Sequence, residues 1–508
     1  MQVLTNFVGC DTLERVNIIR QNIHQVAYFG ELSLEGIMTI VGREKEKAAL
    51  KQYLESGVPE FLVVYGRRRI GKTFLIREFF NGNFDFYVTG LANGKKEDQL
   101  RVWNTAINDS FRGASACATN WLEAFALLKG KLEQQKKTKR KVIFIDEIPW
   151  LDTSKSGFLT AFEHFWNGWA SGRPDIFLII CGSATSWVSK NLFKNKGGLH
   201  NRVTRRMHLS QFTLKETEEY LLEKEINLGR YRICELYMIF GGIPYYLSLL
   251  GKGLSLPQNI DALCFDDNGS MRGEFKEVYS TLFRNADKYM SVVAALSSKT
   301  KGLTRDEIIR ETGLTSGGGL TKIIDELELC GFIRSYPSYS MDANLCLYQL
   351  ADPFSLFHLR FINGKRPKNT RFWTSNLDNP SLTAWKGYSF EQVCLSHSEQ
   401  IKQALGIAAI SSEMSSWRSR QSSPGAQIDL LFDRKDGIVN LCEMKYSKAE
   451  YAISAKEEAS LRNKIAVFEA ETCTKKAVHL TMVTTYGIID NSHSGIVHSR
   501  VTLDDLFR

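Results

Sequence analysis

The stretch Phe61-Leu62-Val63-Val64-Tyr65-Gly66-Arg67-Arg68-Arg69-Ile70-Gly71-Lys72-Thr73 decides how this chain is read. An apolar run predicts a strand, and the strand feeds G-x-x-x-x-G-K-T, the spacing of a phosphate-binding loop. Gly66 and Gly71 let the backbone turn so that successive N–H groups face the phosphates, from Gly66 through Arg67, Arg68, Arg69, Ile70 and Gly71 to Lys72 and Thr73. Lys72 brings a point charge to the β/γ-phosphates, and Thr73 offers a hydroxyl to Mg²⁺. A helix expected from about Lys72 to Phe80 adds its positive N-terminal dipole. The spacing alone also occurs by chance; the flanking strand and helix are what give it meaning. A nucleoside triphosphate is the expected ligand.

A nucleotide site needs acids as well as a loop. Lys141-Val142-Ile143-Phe144-Ile145-Asp146-Glu147 is an apolar strand ending in two carboxylates. A buried parallel strand carries its last residues to the carboxyl edge of the sheet, where ligands bind in such folds. Asp146 is the expected Mg²⁺ partner there, and Glu147 the group that polarises the attacking water. A second strand, Phe177-Leu178-Ile179-Ile180-Cys181, runs into Gly182-Ser183. Ser183 reads either as a sensor of the γ-phosphate or as an ordinary turn residue.

Residues 41 to about 250 resemble the STAND branch of the AAA+ ATPases, especially its prokaryotic and archaeal-type family. The resemblance rests on GRRRIGKT, IFIDEIPWLD with Trp150 after the acidic pair, and IICGSATSWV. It extends to Val41-Gly42-Arg43-Glu44 in front and Gly241-Gly242-Ile243-Pro244 behind. It implies a P-loop NTPase parallel sheet with a helical lid, ATP as the nucleotide, and Pro244 closing over that nucleotide. It also implies contact between copies through the ATPase domain, completed by an arginine in trans; Arg202, Arg205 and Arg206 are the candidates.

The chain has 508 residues, too many for one ordinary core, with 43% hydrophobic and 24% charged residues. The length predicts two to four domains, and the composition describes a soluble globular protein with no sign of extended disorder. Its ten cysteines are scattered singly, without zinc spacing, which fits reduced thiols in a cytoplasmic protein. No run is long and apolar enough to span a membrane. A formal net charge of +9 permits a nucleic-acid partner without requiring one. The basic run Lys136-Lys137-Thr138-Lys139-Arg140-Lys141, just before the strand, reads as a solvated helix end in preference to a nucleic-acid site.

The pattern divides as follows: 1–37, an arm or an artefact of a start codon truly at Met38; 38–212, the ATPase core; 213–284, a helical lid; 285–362, a winged-helix unit; 363–384, a linker; and 385–508, a last α/β domain. Expected strands of the core are 61–65, 84–88, 142–146 and 176–181. Thr213-Leu214-Lys215-Glu216 reads as a capped helix start. The 285–362 unit has three helices and two short strands, an order that resembles a winged helix-turn-helix. Its third helix, expected from Ser316 to Leu329, would offer Thr315, Ser316, Thr321 and Lys322 to a DNA groove, a face short of cationic residues. Such units also serve as lids or protein contacts.

In the last domain, Glu391 lies on a helical pattern and Asp429 opens an apolar strand after Ser423-Pro424-Gly425. Glu443 and Lys445 are two apart on the next strand and so face the same way. Three carboxylates suit Mg²⁺ or Mn²⁺, and the lysine can orient water or steady a pentavalent phosphorus. This D…E-x-K pattern resembles the PD-(D/E)xK restriction-endonuclease-like superfamily over about residues 385–490. The resemblance implies DNA as substrate, with Asp429, Glu443 and Lys445 catalytic and Glu391, Asp429 and Glu443 holding the metal. The rival reading is an ATP-controlled DNA- or protein-binding switch with an inactive C-terminal domain.

Overall fold

The computed structural model describes residues 40–508 except 114–116, 136–139, 184, 194–196, 200, 300–301, 338, 340–345, 364–368 and 420–424. The 1–37 arm, Met38, the cationic run at 136–139, the centre of the expected linker, and Ser423-Pro424 therefore lie outside the described residues.

Strand β1, Glu60–Tyr65, is the centre of the first sheet, with Phe61 through Val64 fully buried. A run buried on both faces belongs in the middle of a parallel sheet. It pairs in parallel on both sides with later strands. With β2 (Phe86–Thr89), β3 (Lys141–Asp146), β4 (Ile176–Gly182) and β5 (Arg205–His208), the order is β2-β3-β4-β1-β5, all parallel. Four of the five were expected within two residues at each end. Strand β5 was not, because Arg-Arg-Met-His carries no apolar run. Aromatic side chains fill one face of the sheet: Phe61 lies 4.9 Å from Trp166, and Trp103 meets Trp121 edge-on at 5.4 Å. The consequence for function is the order of strand ends: β3, β4 and β1 are neighbours, so Asp146, Ser183 and Gly66 reach one edge together.

Helices follow from Leu214 to Leu282, beginning with Leu214–Glu223 behind the expected reciprocal cap of Thr213 and Glu216. Three helices, Ala286–Ser298, Arg305–Thr312 and Gly318–Leu329, then lead to the antiparallel pair β6 (Ile333–Pro337) and β7 (Cys346–Leu350). The third helix begins two residues later than expected. Gly317, at φ +149°, holds the chain out of helical conformation before it.

The expected 363–384 linker carries structure of its own. Phe372–Ser375 is helical, and Asp261 accepts the N–H groups of Trp373 (2.7 Å) and Thr374 (3.0 Å). Helix Pro380–Ser396 crosses the expected boundary at 385, and Lys386 reaches back to Glu235 at 2.6 Å. A second, mixed sheet closes the chain. Its order is β12-β11-β10-β9-β8, from β8 (Ser412–Arg418), β9 (Gln427–Arg434), β10 (Ile438–Lys445), β11 (Ala477–Thr484) and β12 (Ser499–Thr502). Strands β8, β9 and β10 are antiparallel neighbours, while β10, β11 and β12 run parallel. Helix Ala455–Thr472 supplies the crossover between β10 and β11.

Among the described residues no helix is long and apolar enough to cross a membrane. Among the described residues nine cysteines stand outside any disulfide, and six of them are buried.

Candidate functional site

The chain leaves β1 at Gly66, where φ is +143° and a Cβ would stand 2.4 Å from the Leu209 carbonyl oxygen. Only glycine fits that approach. At Gly71 the chain again takes a positive φ, +84°, and enters helix Lys72–Phe79. Lys72 is buried, and its Nζ donates to the carbonyl oxygens of Gly66 (3.1 Å) and Arg67 (2.8 Å). Its ammonium is thus held inside the curve of the loop.

The acids stand where the strand order puts them. The Thr73 hydroxyl donates to Asp146 Oδ2 at 2.9 Å. Glu147 adopts a left-handed conformation (φ 46°, ψ 44°) unusual for a residue with a side chain, at the start of helix Ile148–Leu151. That turn aims it at the next strand end, where Ser183 donates to Glu147 Oε2 from its hydroxyl (3.0 Å) and its N–H (3.2 Å). Burial, and then the charge of Glu147, push the Asp146 carboxyl up to about 6. Buried Asp146 beside half-buried Glu147, facing the Thr73 hydroxyl, is a donor set that suits Mg²⁺, since a hard cation would relieve the cost of its charge. Thr73 and Asp146 are the residues that would hold it.

Two of the loop's arginines are engaged with residues outside this edge. Arg67 pairs with Asp352, its guanidinium lying 4.8 Å over Phe332, and both partners of the pair are buried. Arg69 pairs with buried Glu274 at 2.5 Å and stacks on Tyr245 at 4.2 Å. Their side chains are committed to ion pairs with residues beyond the core, so their share in a phosphate cradle rests on the main chain. Arg68 and Ile70 complete the loop; Ile70 is buried, and Arg68 is half-buried. Pro244 opens helix Pro244–Ser248, directly before the Tyr245 that touches Arg69.

In front of the loop, Arg43 donates to the Ser210 carbonyl at 2.7 Å, and its N–H donates to Glu216 Oε1 at 2.9 Å. The capping acid read from sequence therefore also ties the lid to the Gly42-Arg43 turn, a link that a local pattern could not reveal. Of the three arginines considered for action in trans, Arg205 is bound to Glu60 (3.1 Å) in its own chain. Arg206 stacks over Phe193 at 4.2 Å, and Arg202 is exposed.

A second cluster lies in the C-terminal sheet. The β9–β10 register pairs Cys442 with Leu430, and one further step sets Asp429 opposite Glu443. Glu391 approaches from helix Pro380–Ser396; burial, then the charges of Asp429 and Glu443, push its carboxyl up to about 8. Glu443 Oε1 pairs with Lys445 at 2.8 Å, and Oε2 pairs with Lys464 at 2.7 Å. Burial works against the charge of Glu443, and the two ammonium groups more than offset it. Lys464, from helix Ala455–Thr472, was missed by sequence reasoning because it carries no motif spacing. Among the described residues no three His, Cys, Asp or Glu side chains are grouped so as to hold a metal ion. The three acids influence one another without forming a ready cradle, since each oxygen of Glu443 already has a lysine. Oxygen donors of this kind suit Mg²⁺ or Mn²⁺ by chemistry.

In the three-helix unit, Thr315, Ser316, Thr321 and Lys322 are all exposed. Arg305 donates to Thr321 Oγ1 at 2.9 Å, and Lys322 lies 3.8 Å from Glu326.

Residues 40–250 match the model of a family described as an ATPase domain predominantly from Archaea. This part of the chain is an archaeal-type P-loop ATPase domain. An uncharacterized protein of Methanocaldococcus jannaschii is 26% identical over 327 residues, covering 63% of this chain and 68% of that protein. Among solved structures, the Walker-type ATPase of Pyrococcus abyssi is 19% identical, covers 63% of this chain and 96% of that one, and gives a TM-score of 0.48. A STAND protein with a tetratricopeptide repeat sensor from Pyrococcus horikoshii is 18% identical, covering 73% of this chain and 51% of that one, with a TM-score of 0.29.

Proposed function

We propose that this chain is a Mg²⁺-dependent ATPase coupled to a DNA-directed nuclease-like domain. The observation that carries the ATPase half is the run of contacts at one sheet edge: Thr73 to Asp146, and Ser183 to Glu147. Thr73 and Asp146 would hold Mg²⁺, which when bound would neutralise charge on the β- and γ-phosphates. Lys72, released from the loop carbonyls, would bind the same oxygens. Glu147 would orient water, with Ser183 fixing its carboxylate and sensing the γ-phosphate. The loop from Gly66 to Thr73 would cradle the phosphates and Pro244 would lie over the nucleotide. Release of phosphate from ATP by the purified full chain, dependent on Mg²⁺ and absent in Lys72→Ala, tests this reading.

For the C-terminal half, Asp429, Glu443 and Lys445 would act on a phosphodiester, with Glu391, Asp429 and Glu443 as metal ligands. The three-helix unit with β6 and β7 reads as a winged helix presenting Thr315, Ser316, Thr321 and Lys322 to DNA. Incubation of the full chain with Mg²⁺ or Mn²⁺ and varied DNA substrates, with and without ATP, tests it. The switch reading, in which ATP governs a DNA or protein contact and nothing is cut, draws on the two lysines that already occupy Glu443. Assembly of copies through the ATPase domain, with Arg202 or Arg206 completing a neighbour's site, and a cytoplasmic location belong to the same proposal.

A further inference from the structure

Arg67 works at two places at once. Its main-chain oxygen accepts from Lys72 Nζ at 2.8 Å, and its guanidinium is paired with Asp352 Oδ1, 285 residues further along the chain. Asp352 is itself fixed on its other oxygen. Oδ2 accepts from the Ser355 N–H (2.9 Å) and hydroxyl (2.6 Å), at the first turn of helix Pro353–Phe357. The Ser355 hydroxyl also meets the Tyr279 hydroxyl at 3.0 Å, and the Asp352 N–H donates to the Phe332 carbonyl at 3.1 Å. Phe332 is the ring beneath the Arg67 guanidinium. Asp352 has 2% of its surface exposed and Arg67 7%, so neither ion has water as an alternative partner.

A loop residue needed only for packing would be apolar at such a depth. A buried charge pair holds its members in one geometry, because moving either leaves the other unpaired. Any shift of Arg67 also moves the carbonyl that Lys72 uses, and with it the curve from Gly66 to Gly71. We propose that Asp352 is a positioning residue of the nucleotide site, which acts through Arg67 to fix the phosphate loop in its receptive shape. This rests on the ATP reading above. It adds that the loop is shaped from outside the ATPase domain, by the segment that follows β7.

Binding of ATP to the full chain by isothermal titration, with turnover measured in parallel, tests the assignment. Asp352→Asn should raise Kd about tenfold while kcat at saturating ATP changes by less than about threefold, because Glu147 and Ser183 are untouched. Should Asp352→Asn fail to fold, the double variant Arg67→Met/Asp352→Leu removes both charges together. It should be stable and show a Kd raised by about the same factor as Asp352→Asn, about tenfold, as expected of two residues acting as one unit. Asp352→Glu, which keeps the carboxylate, should recover part of the affinity. Kd within about twofold of wild type in Asp352→Asn, or in the double variant where Asp352→Asn does not fold, with only the melting temperature lowered, would overturn the proposal and leave the pair purely structural. Absence of ATP binding by the unaltered chain would instead refute the ATPase reading itself.

Discussion

Ser183 donates twice to Glu147 Oε2, at 3.0 Å from its hydroxyl and 3.2 Å from its N–H. The bond joins the ends of β3 and β4, and it fixes a carboxylate that leaves its strand in a left-handed turn. Glu147→Gln should keep ATP affinity within about threefold and cut kcat by at least about a hundredfold, since an amide does not polarise water as a carboxylate does. Ser183→Ala should reduce kcat less, by about tenfold, because the Ser183 N–H remains. Single-turnover hydrolysis beside equilibrium binding separates the two effects. Wild-type turnover in Glu147→Gln would remove that residue from the mechanism.

Lys72 is the one ammonium inside the loop, and it bonds only main-chain oxygens of Gly66 and Arg67 among the described contacts. Lys72→Ala should weaken ATP binding by at least about tenfold and leave the melting temperature of the nucleotide-free protein within a few degrees. Titration calorimetry and thermal denaturation measure the two. A variant that binds ATP normally would show that the lysine does not meet the phosphates.

Asp146 gives a pH test. Its carboxyl is pushed up to about 6 in the folded chain from an ordinary value of 3.8, chiefly by burial. Between those values the folded state holds a proton that the unfolded state has lost, so this group's contribution to stability falls as pH rises through the window and stays low above it. Asp146→Asn carries no such charge. The variant should gain on the wild type by about 1–3 kcal/mol between pH 4 and pH 7, read from urea denaturation without nucleotide or metal. A constant difference across that range would contradict the assignment.

What the sequence disclosed follows from the range of the interactions. The phosphate loop was legible because its chemistry is written in eight consecutive residues, and the ends of β3 and β4 because apolar runs stop abruptly at Asp146 and Ser183. The cap of Thr213 by Glu216 was legible as local spacing, yet its bond to the Arg43 N–H was not. Arg67 and Asp352, Arg69 and Glu274, and Glu443 and Lys464 meet only after folding, and no pattern of neighbours announces them. Strand β5 was invisible for a different reason: an edge strand of four residues owes its conformation to pairing with β1 and not to its own side chains. Nor does local pattern show that Trp373 and Thr374, within the expected linker, are held by Asp261.

The C-terminal cluster supplies the last test. Two lysines balance Glu443, and Glu391 is pushed up to about 8 by burial and by Asp429 and Glu443, so the cluster is close to charge balance without an added cation. A divalent ion entering here must displace an ammonium from Glu443, which makes metal affinity sensitive to Lys464 as well as to the acids. If the domain cuts DNA, Asp429→Ala and Lys445→Ala should each reduce cleavage by the full chain at least about a hundredfold and leave ATP hydrolysis within about twofold. Mn²⁺ titration of the nucleotide-free chain should lose one site in Asp429→Ala, while Lys464→Met should bind Mn²⁺ more tightly than wild type, because a competing cation is gone. Cleavage that survives Asp429→Ala would place the chemistry elsewhere. No cleavage of any DNA, with Mn²⁺ binding unchanged by either substitution, would leave the ATP-controlled switch, with Glu443 and its two lysines serving as a structural ion-pair network.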